Sequence, residues 1–180
     1  MINSIDRTIE WIEKQGAVIC MDLAEKKRLE HYIIPVVALF PDLIKMLCFV
    51  YVYRMSEQTE GAAGSDGICW KNVTNYAGTL YAIGISVEAM DKGAEYTAFL
   101  FMHELAHIKE PKHNHNFHEI LNDMIVRYNH AYSVNLANDM FGLPVRSDSR
   151  SYDPLAGTVH QLVDRPGANF RTSGRPTEIR

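Results

Sequence analysis

Apolar positions recur along the chain with two different periods, and the changes of period divide it into elements. Ile5, Ile9 and Ile12 repeat at spacings of four and three, which predicts one face of a helix. Asn3 or Ser4 is placed to cap that helix and Gly16 to end it. A second helical stretch runs from about Asp22 to Ile34, charged on one side, and Pro35 is expected to stop it. Pro41 and Asp42 open a short turn of helix. Leu47–Tyr53, rich in Val, Tyr and Phe, predicts a strand. Periodicity then lapses over Ser56–Gly67, where Gly61, Ala62, Ala63, Gly64 and Ser65 follow one another, so a loop is expected.

Alternation returns beyond that loop. Cys69–Val73 predicts a short strand, Tyr76–Gly78 a turn, and Thr79–Val87 a better strand through Leu80, Tyr81, Ile83, Ile85 and Val87. Glu88–Gly93 is left as a connection. Ala94–Lys109 is apolar on most sides of a helix, from Tyr96 through Phe99, Leu100, Phe101 and Met102 to Leu105 and Ile108. A helix of that kind belongs at the centre of a core, and Pro111 ends it. A further helix is expected from near Asn116 towards Asn138, with Phe117, Leu121, Met124, Tyr128 and Ala131 as its stripe, closed by Gly142 and Pro144. Pro154, Gly157, Pro166, Gly167, Gly174 and Pro176 interrupt the remainder. The expected organisation is a domain over residues 1–143 and an irregular or partly disordered tail over 144–180.

Composition narrows the class. The chain has 180 residues, 47% of them hydrophobic and 22% charged, enough for one ordinary core. A net charge of −4 gives the whole molecule no bulk attraction for nucleic acid or an anionic membrane. In the tail, Arg146, Arg150, Arg165, Arg171, Arg175 and Arg180 face only Asp148, Asp153, Asp164 and Glu178. That weak excess permits a nucleic-acid contact but favours a solvated tail. Met1–Gly16 mixes acidic and basic side chains and lacks the apolar centre of a signal peptide. The runs Ile33–Phe40 and Met46–Tyr53 are too short to span a bilayer. Cys20, Cys48 and Cys69 are odd in number and form no CxxC pair, which fits buried free thiols in a reducing cytoplasm.

The chemistry concentrates in His103-Glu104-Leu105-Ala106-His107. Residues four apart on a helix lie one turn above each other, so His103 and His107 can point imidazole nitrogens at one ion. Glu104 lies beside the ion without needing to bind it, where a general base must be to take a proton from a zinc-activated water. Two ligands leave a catalytic zinc site one short. His113 ranks first as the third, since Pro111 breaks the helix and six residues after His107 suffice to turn back. His118 ranks second; His115 and Glu119 are weaker, and His115, His130 and His160 are expected to be solvated. Lys109 and Lys112 flank the ligand loop and are expected to be solvated as well. Tyr128 and Tyr132 are candidates to stabilise an oxyanion, although packing explains Tyr128 better.

The stretch His103-Glu104-Leu105-Ala106-His107, followed by Glu110, Pro111, His113 and Phe117, resembles the active-site segment of the SprT-like/WLM group of zincin metallopeptidases. The similarity runs from Thr79 to about Arg127, with Leu80–Val87 in the place of the family's edge strand. The resemblance implies an α+β, zincin-like fold, with a small mixed sheet packed against an active-site helix and flanking helices. It implies one zinc per chain and hydrolysis of peptide bonds in a protein or peptide substrate. It carries over His103, His107 and His113 as ligands, Glu104 as base and Phe117 as a core anchor. Metzincins have glycine where Glu110 stands, and the tail lacks the cysteine pair of the zinc ribbon found in some SprT-like proteins. The other readings are a zinc hydrolase of a non-peptide substrate, and a non-catalytic regulatory or binding protein with a structural zinc.

Overall fold

A computed structural model describes residues 4–14, 16–58, 65–75 and 78–136. The tail over 144–180, including His160, lies outside them, as do most of the Gly61–Ser65 loop and the end of the helix expected to reach Asn138. Among the described residues the chain is a mixed α+β domain with a three-stranded sheet. The helices are α1 (Ser4–Lys14), α2 (Leu23–Leu39), α3 (Pro41–Ile44), α4 (Val87–Met90), α5 (Ala94–Lys109) and α6 (His115–Tyr132). The strands are β1 (Leu47–Tyr53), β2 (Gly67–Asn75) and β3 (Gly78–Ser86).

The sheet order is β1-β3-β2, with β3 parallel to β1 and antiparallel to β2. The strand expected at the edge is therefore central, and β2 takes the edge beside it. β3 is buried without a break from Tyr81 to Ile85. A strand buried on both faces is stable with a neighbour on each side. The outer edge of β1 is partly covered by the segment before α2, where Cys20 N–H donates to the Val52 carbonyl at 2.8 Å.

Side chains alternate across this sheet. Tyr51, Tyr53, Ile68, Trp70 and Ala82 join Ile12 of α1 in one cluster. Val52, Cys69, Ile83 and Ile85 join α2, α5 and α6 in the main core. Helix α5 lies in that main core and is buried from Thr97 to Ile108, as its apolar composition requires. It starts at Gly93, whose φ of +109° suits glycine. It ends where Glu110, held extended by the following Pro111, leaves the helical region.

Two helical boundaries differ from expectation. Pro35 does not end α2, which continues to Leu39. Proline in a helix interior costs roughly 3 kcal/mol, but stopping there would withdraw Val36 and Phe40 from the core that Leu29 and Ile33 also enter. Helix α6 begins at His115 and stops at Tyr132, short of Asn138. Ser133 adopts the left-handed conformation, at φ 54° and ψ 38°, and caps the end. Asn129 then locks the exit, its side chain bonding both the N–H and the carbonyl of Leu136 at 2.9 and 2.7 Å. The connection after β3 also holds the one-turn helix α4, capped by Ser86 Oγ accepting from the Ala89 N–H at 3.0 Å.

Candidate metal centre

Helix α5 presents His103 and His107 one turn apart, each 2% exposed. Their rings lie 5.0 Å apart, centroid to centroid. The third member arrives from the α5–α6 connection. Asn114 caps α6, its side chain accepting from the Phe117 N–H at 3.0 Å. This cap fixes the turn that carries His113 back over α5. His113 Nε2 then stands 3.0 Å from His103 Nε2. One nitrogen from each of His103, His107 and His113 falls within a set whose members lie within 4.8 Å of one another. Three histidines are thus close enough to bind one metal ion.

The surroundings orient these rings. His107 Nδ1 lies 3.2 Å from the Glu110 carbonyl oxygen. A carbonyl can only accept, so Nδ1 carries the proton and Nε2 keeps its lone pair. Phe117, fully buried, forms the floor, with its ring 4.8, 4.5 and 4.7 Å from those of His103, His107 and His113. Burial, reinforced by the neighbouring His118, lowers the His113 pKa to about 4. The ring is therefore neutral at physiological pH, the form that binds a metal.

Two nitrogens at the roughly 2.0–2.1 Å typical of zinc–histidine bonds, at a tetrahedral angle, stand about 3.3 Å apart. The 3.0 Å between His103 and His113 is within a few tenths of that. Neutral imidazoles suit zinc and other first-row divalent ions alike.

Glu104 is 1% exposed, and burial raises its carboxyl pKa well above the ordinary value. Its carboxylate lies against the first residue of β2: a Cβ placed on Gly67 would fall 2.7 Å from Glu104 Oε1. The sequence pattern gave no sign of this contact, since Gly67 falls at the end of a loop-like run. The same holds for the clasp just before it. Asp66, nearly buried, accepts from Lys92 Nζ at 2.5 Å and from the Tyr96 hydroxyl. Burial, then Asp66 itself, pushes the Tyr96 hydroxyl pKa up.

The other candidates fall away from the three histidines. His115 is exposed and pairs with Glu119 on the surface at 3.1 Å. His118 is half-buried behind Phe117, their rings 5.5 Å apart, and is not part of the convergent set. His130, Lys109 and Lys112 are exposed. Tyr128 packs in the core, and the Tyr132 hydroxyl donates to the Pro35 carbonyl at 3.0 Å.

Compared with protein-family models, curated proteins and solved structures, the chain matches none of them. No helix among the described residues is long and apolar enough to cross a membrane.

Proposed function

We propose that the chain is a zinc-dependent metallopeptidase of the zincin type, related to the SprT-like/WLM group, that hydrolyses peptide bonds in a protein or peptide substrate. The observation that carries this reading is the convergence of His103, His107 and His113, together with the buried Glu104 that follows His103 on the same helix. Zinc held by these three histidines would supply a Lewis acid and a water acidified to a pKa of about 7 in favourable sites.

The protein's own groups do the rest. His103, His107 and His113 would hold the ion through ring nitrogens, with His107 oriented by the Glu110 carbonyl. Phe117 closes the site from below and excludes water there. Glu104 receives the proton on its carboxylate and returns it to the departing amine. Burial raises its pKa from the ordinary carboxylate value, the direction that makes a carboxylate a stronger base.

The near-complete burial of His103, Glu104 and His107 also favours a second reading, a structural ion with no open position. Glu104→Gln separates the two, because it keeps the shape and removes the basicity. Under the catalytic reading the variant retains about one zinc per chain and the wild-type fold, while cleavage of an unfolded substrate such as casein falls by roughly 10²–10⁴-fold. Wild-type cleavage must also vanish with a chelator. Equal cleavage by both proteins, or an inert wild type with four protein ligands on the ion, would overturn the peptidase reading.

A further inference from the structure

We infer that Gly67 is a positioning residue for Glu104, its bare backbone acting as the stop that sets where the carboxylate stands. The inference rests on the hydrolase reading and adds to it a residue outside the histidine motif.

Gly67 opens β2 at the edge of the sheet, opposite Ile85 of β3. It shares with Cys69 the face turned towards α5. A side chain here would meet that helix at once. Its Cβ would lie 2.7 Å from Glu104 Oε1, 3.1 Å from Glu104 Cγ and 3.1 Å from Leu100 Cδ1. Leu100 and Glu104 are one turn apart on α5, so the backbone of residue 67 rests on both.

Glycine is not required here for its dihedral angles. Positive φ among the described glycines is confined to Gly16 and Gly93, so the backbone at residue 67 is open to any amino acid. Space is the constraint, and Glu104 occupies it.

The strand cannot simply withdraw from an added methyl group, because its start is tied on three sides. The Asp66 carboxylate is held by Lys92, in the turn before α5, and by Tyr96, in the first turn of α5. The Asp66 carbonyl accepts from the Ser86 N–H at 2.9 Å, at the end of β3. The helix is equally constrained, being buried from Thr97 to Ile108. Between two fixed backbones the adjustable part is the Glu104 carboxylate. Its place relative to His103, one residue before it, and His107, three after, is therefore set by the absence of a side chain at residue 67.

A double-mutant cycle on the full chain tests the contact without metal. In metal-free protein, Gly67→Ala is expected to lower the melting temperature by roughly 5 °C, as overpacking of a fixed site does. In a Glu104→Ala background the same substitution should cost less than half as much, with only Leu100 left to crowd it. Additive effects overturn the inference. If Gly67→Ala alone does not fold, a folded Gly67→Ala/Glu104→Ala double variant supports it, and an unfolded one overturns it.

The second readout is Co²⁺ bound in place of zinc. Gly67→Ala leaves the histidines intact, so it should still bind about one Co²⁺ per chain, but with a visible absorption spectrum altered by the displaced carboxylate. An unchanged spectrum overturns the positioning role alone. A wild-type protein that takes up no Co²⁺ brings down the metallopeptidase reading and the positioning role with it.

Discussion

The two faces of the sheet both bury polar side chains, and they satisfy them in opposite ways. On the face towards α1, each polar tip closes on another group of the protein. Trp70 Nε1–H donates to the Tyr51 hydroxyl at 2.6 Å, and the Tyr53 hydroxyl donates to the Ser65 carbonyl at 2.6 Å. Burial pushes both tyrosine pKa values up, away from any working pH. On the face towards α5, three imidazoles from two elements turn nitrogens towards one another, and Glu104, next to His103 on the same helix, is buried against Gly67. A closed pair holds a fold together. A convergent set of like donors would be an expensive way to do so, because lone pairs aimed at one another need a proton or a cation between them.

The largest expected effect sharpens this contrast. His107→Ala or His113→Ala should reduce zinc affinity by orders of magnitude in equilibrium dialysis, whereas His115→Ala should leave it unchanged. Retention of full affinity in His113→Ala, with loss in His118→Ala, would place the third ligand wrongly. The same binding measurement should be blind to the other face. Tyr51→Phe deprives the buried Trp70 N–H of its acceptor and is expected to cost about 1–3 kcal/mol in chemical denaturation, with zinc affinity intact.

A pH dependence is also expected on the histidine side. His113 has a folded pKa of about 4 against an ordinary 6.5, so between those values the unfolded chain binds the extra proton. The stability it contributes is complete above about pH 6.5 and is lost as pH falls towards about 4. Denaturation midpoints of the metal-free protein across that window should fall less steeply in His113→Gln than in the wild type. Equal slopes would mean that His113 is solvated.

The sequence pattern carried some regions further than others, for physical reasons. Leu47–Tyr53 and Ala94–Lys109 appear with the expected boundaries, because an unbroken apolar run of strand length and a helix apolar on most sides are both legible in composition. The histidine set was also legible, because two members are fixed by helical spacing and the third follows within one short turn. What stayed hidden depends on partners remote in sequence. Pro35 sits inside a helix because of the core beyond it. β3 is central because β1, separated from it by all of β2, comes to lie alongside. Asp66 and Gly67 looked like loop residues, and only the packing of β2 on α5 gives the glycine its meaning. Gly84 is a parallel case on the opposite face, where a Cβ would fall 2.5 Å from the Tyr51 ring.

The first and last of the three histidines are only ten residues apart. An ion gripped by them closes a short loop, and short loops are closed at small entropic cost. The span from His103 to Phe117 would then be a closed local unit. An ion held there would tie the α5–α6 corner together through three side chains at once.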